Sequence, residues 1–421
     1  MQKNRRNTGA NKQPNGGVQR TLWLAAVIRE NLYEFVIREG MKALDTMLEH
    51  DRERICGPAH AKGDDGNAVR WGSTDGRLVM AGRRVVVRKP RARRDGKEVT
   101  LPTWAQFADE DPLNERTMKQ MVVGVSTRNY SRSVEELPDE LGAHGASKSA
   151  ASRRFVELTA EKLDEWLHRD IGALNLVAIM IDGIEVGEHV IVVALGIDEK
   201  GEKHGLGLWQ GATENAAVCE GLVNDLVKRG LDSQQAYLFV IDGGKALRKA
   251  LREVFGKRSL VQRCQEHKRR NVLGHLPQRL HASVSKALRD AYRSSSHATA
   301  KRRLLQLVSH LANEHPDAAA SLREGLEETI TLKDMKLPQW LERTLSTTNP
   351  IENLNGAIRR VTRNVKRWRD GMMVRRWVAT AILEAARGFR RLRGFQGMPL
   401  LVAALRGAEQ TNRVDAEGHA A

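Results

Sequence analysis

Cysteine is scarce in this chain: three residues in 421, Cys56, Cys219 and Cys264. Three scattered thiols cannot build a disulfide framework, and such usage fits a reducing, intracellular setting. Long apolar runs are missing as well, since none approaches the roughly 20 residues that span a bilayer. Leu22–Ile28 has a basic leader in front of it, yet stops at Arg29-Glu30 after about seven residues, too short for a secretory segment. The expectation is therefore a cytoplasmic protein with no membrane partner. Gly243-Gly244-Lys245 lacks the spacing of a phosphate loop, and no Ser–His–Asp arrangement stands out. Acidic charge is also short: 52 Asp and Glu face 69 Lys and Arg, a formal charge of +17. Such an excess points to a polyanion, nucleic acid first.

What is present divides by composition. Residues 1–70 read as a polar basic tail, a helix over Thr21–Arg54 and a Gly- and Asp-rich linker. Arg77–Arg94 reads as a basic β-hairpin and Arg-rich stretch, with seven Arg or Lys from Arg83 to Arg94. That run is either an edge strand blunted by charge or a DNA-backbone contact. Three helices are expected at Met118–Val125, Ser133–Leu141 and Ser147–Leu167. The Ser-rich, basic start of the third, with Lys148 and Arg153, is of the kind a helix-turn-helix lays on phosphates, so 71–172 is a candidate DNA-binding region. From Leu174 the pattern becomes α/β. Strands are expected at 177–181, 190–195, 206–209, 236–241 and 260–263, with helices at 214–229 and 245–255. Residues 265–341 are helical again. A basic helical stretch follows a Ser-Thr-Thr-Asn-Pro loop and runs to Arg393, and residues 396–421 read as a tail.

Two apolar runs end alike. Val177–Ile181 leads into Asp182-Gly183, and Ala236–Ile241 leads into Asp242-Gly243. Each has the length and β-branched content of a buried strand. The expectation is that each strand stops there, leaving its carboxylate at a turn. Two such ends side by side would repel unless a cation lay between them. Glu352 supplies a third carboxylate. Asn349 as N-cap and Pro350 at N1 would place Glu352 at N3, the capping-box position. Yet Glu352, Asn355 and Arg359 share a helical face apart from Leu354, Ala357, Ile358 and Val361, which suits a metal-bound phosphodiester. Hard oxygen ligands of this kind hold Mg²⁺, with Mn²⁺ as a substitute. Two such ions about 4 Å apart promote in-line displacement at phosphorus. Cys264 and His267 have Cys-x-x-His spacing, but no second pair completes a zinc site. Cys264 is expected to be buried, with His267, Lys268 and Asn271 facing DNA or metal.

These residues carry a resemblance. Ile181-Asp182-Gly183, Val240-Ile241-Asp242-Gly243-Gly244, the run Gln262–Val272 with its Arg-Cys-x-x-His-Lys, Thr347–Asn355 with its Asn-x-Ile-Glu-Asn, and Trp368-Arg369-Asp370-Gly371 resemble the Mutator-type transposases of bacterial insertion sequences, in the DDE class. Gly124–Arg128 and Ser147–Arg153 look like the family's N-terminal DNA-binding region. The resemblance covers roughly residues 75–395. It implies an RNase H-like core (173–264 and 342–395) interrupted by an all-helical insertion (265–341). It also implies Mg²⁺-dependent cleavage and strand transfer at terminal inverted repeats, by a homodimer on double-stranded DNA associated with the nucleoid. Carried over by position, Asp182, Asp242 and Glu352 are the catalytic, metal-holding triad, and Cys264 and His267 are the family's pair. DNA contacts are expected from Arg128, Lys148, Arg153, Arg263, His267, Lys268, Asn271, Asn355, Arg359, Arg360 and Arg363. The alternatives are a regulator that binds ends without cutting, or a nuclease or resolvase on the same scaffold.

Overall fold

The computed structural model describes residues 32–59, 68–80, 83–109, 119–122, 148–211, 215–363 and 365–418. The main boundary between its two compact units falls at Phe155/Val156.

In the first unit, α1 (Leu32–Cys56) buries Ile37, Leu44 and Leu48 at four- and seven-residue steps, the period of one helical face. They pack with Leu78, Val85, Val87 and Leu101. Strands β1 (Val69–Met80) and β2 (Arg83–Arg94) pair antiparallel, and β3 (Lys97–Val99) adds to the far side of β2. The expected hairpin is present, but β2 is the central strand. β3 reaches only Ala92, Arg93 and Arg94, however, so among the described residues the outer side of β2 from Arg83 to Arg91 is an edge, as the blunted-edge reading expects. Pro90 is accommodated because it pairs beside the bulge between Arg70 and Ser73, where the ladder is already interrupted, and lies outside the Ala92–Arg94 stretch that β3 pairs. Lys89 and Arg91 are partly neutralised by Glu98, at 3.3 and 2.8 Å, and Arg93 stacks on Trp71 at 4.5 Å. The Asp51 carboxylate accepts from the Thr103 N–H at 2.6 Å, tying α1 to α2 (Pro102–Asp109). The helix expected at 133–141, half of that at 118–125, and Arg128 lie outside the described residues. The third expected helix is α3 (Lys148–His168), which crosses the boundary.

The second unit is built on a five-stranded mixed sheet. Its strands are β4 (Leu176–Val186), β5 (His189–Asp198), β6 (Lys203–Gly211), β7 (Tyr237–Ile241) and β8 (Ser259–Arg263), in the order β6-β5-β4-β7-β8. The β4, β5 and β6 neighbours pair antiparallel, while β7 runs parallel to β4 and β8 parallel to β7. Alternation along the strands sorts the two faces. Ile179, Ile181, Tyr237, Phe239 and Ile241 meet α4 (Ala216–Lys228) and α5 (Lys245–Phe255) in one core, through Leu222, Leu226, Leu251 and Phe255. The opposite face carries α11 (Asn349–Thr362) over β4 and α12 (Gly371–Ala386) over β6. Buried Arg229 anchors this unit by donating to the carbonyls of Trp166 and Leu206 and pairing with Asp225 at 3.1 Å.

Between β8 and α11 the chain is helical: α6 (Gln265–Gly274), α7 (Gln278–Tyr292), α8 (His297–Ala312), α9 (Pro316–Arg323), short turns over 327–335, and α10 (Gln339–Leu345). This segment has a core of its own, including Leu288, Leu304, Val308, Leu322 and Ile330. The helical stretch expected up to Arg393 is instead broken after α11 and restarts at α12, whose N-cap Asp370 accepts from the Met373 N–H at 2.7 Å. Where a tail is expected from residue 396, α13 (Met398–Gly418) forms, with Met398, Leu401 and Leu405 buried. Among the described residues no helix is long and apolar enough to cross a membrane.

Candidate active site

Asp182 does not end a strand. β4 continues to Val186, and Asp182 keeps its place opposite Val193 of β5. What ends is the neighbour on the other side. Pairing of β4 with β7 stops at Ile181 and Ile241, so Asp182 stands just past the parallel partner. By strand alternation it shares a face with Ala178 and Met180, the face that α11 covers. Asp242 does follow a strand end, as expected, and its carboxylate accepts from the Gly244 N–H at 2.9 Å. Gly243 is required there. Its φ is +107°, and a Cβ would collide with the Arg263 guanidinium.

Glu352 comes from α11, which starts one residue earlier than the spacing predicts. Thr348 is the N-cap and Asn349 the first helical residue, so Glu352 falls at N4 and cannot close a capping box. Its carboxylate instead accepts from the Thr348 hydroxyl at 2.7 Å and lies 3.8 Å from His267 Nε2. One turn on, buried Asn355 donates from Nδ2 to Asp182 Oδ2 at 2.8 Å. The amide oxygen of Asn355 is buried and has no hydrogen-bond partner.

Behind the acids sits the Cys-x-x-His pair. Cys264 follows β8 and caps α6, so its neighbour three residues on is one turn up that helix. Its sulfur accepts from the backbone N–H groups of His267 at 3.5 Å and Thr348 at 3.4 Å, with the Thr348 hydroxyl 3.3 Å away. Burial alone would push this thiol up, but hydrogen bonds from His267 and Thr348 hold it below its ordinary value. His267 is raised, chiefly by its hydrogen bond with Cys264, against the opposing effect of burial, with the charges of Glu352 and Asp242 adding. Ligand atoms of Cys264, His267 and Glu352 all lie within 4.8 Å of one another. The three acids are coupled through their charges rather than gathered into such a tight group. Burial first, then the Asp242 charge, push Asp182 up to about 6, with Glu352 adding to the rise and His267 opposing it.

A family comparison bears directly on this arrangement. The model of the Mutator family of transposases matches residues 25–391. This chain belongs to the Mutator family of transposases. It is 29% identical over 252 residues to the transposase for insertion sequence element IS6120 of Mycolicibacterium smegmatis, covering 58% of this chain and 75% of that protein. It is 33% identical over 184 residues to a probable insertion-sequence transposase of Corynebacterium diphtheriae, covering 44% and 52%. To the transposase for element IS256 in transposon Tn4001 of Staphylococcus aureus it is 26% identical over 290 residues, covering 66% and 70%.

Several residues expected on DNA have other surroundings. Lys268 is fully buried, and its ammonium donates to the Ser321 and Glu324 carbonyls, the latter at 2.6 Å; burial draws it down to about 8. Arg263 is buried as well, bonded to the Glu324 carbonyl at 3.0 Å and braced against the Asp242 carbonyl at 3.4 Å. Asn355 is taken up by Asp182, and half-buried His267 turns to Cys264 and Glu352. Arg153, Asn271, Arg359, Arg360 and Arg363 are exposed. The side chain of Lys148 lies outside the described residues. Sequence reasoning missed Thr348, which links Cys264, His267 and Glu352. It stands inside the Thr-Thr-Asn-Pro motif, but hydroxyls before helices are ordinarily caps.

Proposed function

We propose that this protein is an insertion-sequence transposase that binds the terminal inverted repeats of its element, cuts DNA there and joins the freed end to target DNA. The supporting observation is the convergence of Asp182, Asp242 and Glu352, from β4, the end of β7 and α11, in a chain of net charge +17. The strand order β6-β5-β4-β7-β8, with acids on the two central parallel strands, supports an RNase H-like core of the DDE class. The helices between β8 and α11 would be its insertion.

The residues fit a hard divalent cation. Three carboxylates whose charges act on one another cannot all ionise cheaply without one, and the orphaned Asn355 oxygen beside Asp182 suits a water in such a cation's shell. Asp182, Asp242 and Glu352 would hold Mg²⁺ or Mn²⁺. When bound, such ions supply a lowered pKa for an attacking water or 3′-hydroxyl and charge stabilisation for the leaving oxygen. Asn355, donating to one oxygen, fixes the rotamer of Asp182. Thr348 does the same for Glu352. His267 offsets part of the negative charge at Glu352 and Asp242. Arg263 and Gly243 set the backbone that aims Asp242. Exposed Arg359, Arg360 and Arg363 beyond the site would take the phosphates.

The test is cleavage of a labelled duplex carrying the element end, with Mg²⁺ and with EDTA, for wild type and Glu352→Gln. Metal-dependent 3′-hydroxyl ends that vanish in the variant, with DNA binding kept, are the expected result. Tight binding without cutting, also with Mn²⁺ and pre-nicked ends, would favour a DNA-binding regulator. Cutting without strand-transfer products would favour a nuclease or resolvase.

A further inference from the structure

A cleft of about 980 Å³ opens beside the site, on the α11 flank that carries Asn349 and Asn353. Its walls come from α7, α10, the turn before α10 and the loop ahead of α13. The lining is strongly cationic. Arg289, Arg293, Lys336, Arg343 and Arg393 all face it and are exposed, and among the described residues no carboxylate pairs with any of them. Its two acids are already engaged, Glu266 with Arg269 at 2.9 Å and Glu342 with Lys333 at 2.5 Å. At its rim stands Trp340, 49% exposed, with the Arg393 guanidinium stacked on the ring at 3.9 Å.

Arg343 also lies over the Trp340 ring, at 5.9 Å, so two of the five cations have the ring as partner, but none has a carboxylate, and like charges gathered in one cleft repel without an anionic occupant. The volume decides the kind of occupant. About 980 Å³ is at the upper end of small-ligand cavities and is room for a few nucleotides of one strand. A cationic groove with an aromatic platform is the combination that holds single-stranded nucleic acid, phosphates along the walls and a base on the ring. We propose that this cleft seats a few nucleotides of single-stranded DNA next to the cutting site, with one base stacked on Trp340. The inference rests on the transposase reading and extends it to a strand-specific subsite. Arg289 and Arg293, one turn apart on α7, would follow successive phosphates, with Lys336 and Arg343 facing them.

The experiment uses the full chain in EDTA, with a fluorescent oligothymidine of about ten nucleotides and a blunt duplex as separate probes. The variants are the triple Arg289→Ala, Arg293→Ala, Lys336→Ala, together with Trp340→Ala and Trp340→Phe. All the altered side chains are exposed, and thermal melts check that the fold is kept. The triple variant should bind the oligonucleotide at least tenfold more weakly, with its log–log salt slope reduced by about 2. Trp340→Ala should lose roughly tenfold and Trp340→Phe should restore most of it. Duplex affinity should stay within about twofold. Unchanged oligonucleotide binding in folded variants overturns the proposal, as does an equal loss for duplex and oligonucleotide, which would mark a general duplex surface. No cutting step enters this assay. A chain that never cuts but loses oligonucleotide binding in these variants would keep the subsite and overturn the transposase reading. A chain that cuts yet binds the oligonucleotide without these residues would do the reverse.

Discussion

Burial and the Asp242 carboxylate hold Asp182 at about 6, against an ordinary 3.8. Ionising it at neutral pH therefore costs the metal-free fold about 3 kcal/mol. The sign follows from linkage: a raised folded pKa favours the fold below about pH 4 and loses that contribution as pH rises through 6. Asp182→Asn, which cannot ionise, should melt above wild type at pH 8 in EDTA, with the gap closing toward pH 4 and narrowing when Mg²⁺ is added. It should also abolish cleavage. A gap that does not change with pH would show that Asp182 is not held in this way. The hydrogen bond from Asn355 to Asp182 sets a test of whether this amide acts through the carboxylate or on DNA. Asn355→Ala should raise the Mg²⁺ concentration for half-maximal cleavage by about 10–100-fold, with duplex binding unchanged; a proportional loss of duplex binding would return Asn355 to the DNA-contacting role.

Two contacts between elements can be tested in the same way. The buried ammonium of Lys268 pins α6 to the C-terminal end of α9 through two carbonyls. Lys268→Ala would leave both acceptors unpaired around a void, costing about 3 kcal/mol in denaturant unfolding. A change below about 0.5 kcal/mol would be the signature of a surface residue. At the start of α8, His297 bridges Asp334 at 2.7 Å and Glu327 at 2.9 Å. Partial burial would lower its pKa, but the hydrogen bonds it donates to the two carboxylates outweigh that and raise it. A raised histidine stabilises fully below its ordinary 6.5 and loses the effect as pH climbs past the raised value. His297→Gln should accordingly lower the melting temperature at pH 5.5 and leave it nearly unchanged at pH 8.5.

Over the whole molecule, the net charge of +17 sets the expectation for how DNA would be held. Arg359, Arg360 and Arg363 are exposed at the end of the helix that carries Glu352. If each neutralises a phosphate, duplex affinity falls steeply with salt, and replacing all three by alanine lowers the log–log slope by about 3. A nearly flat wild-type plot would mean that these charges are only solvated. The same accounting separates the two cationic surfaces: these arginines should govern duplex binding, while the cleft beside Trp340 should govern single strands.

The apolar runs before Asp182 and Asp242, the helical face of α11 and the change to α/β character at Leu174 were all legible in the sequence, because hydrophobic periodicity is local. The helix over Lys245–Phe255 is found where the pattern puts it. The continuation of β4 past Asp182 was not legible, since pairing to β5 rather than the tripeptide keeps that strand extended. Nor was the burial of Arg263 and Lys268, whose residue types belong on surfaces and enter a core only where distant carbonyls await them. Composition and motif by themselves determined the basic character and the family, and singled out the three carboxylates proposed as the site. Tertiary structure alone decided that Thr348 reaches Cys264 across 84 residues and joins it to Glu352, that Asn355 donates to Asp182, and that nine Lys and Arg line one cleft. Those contacts depend on sheet order and helix docking, and no local pattern encodes either.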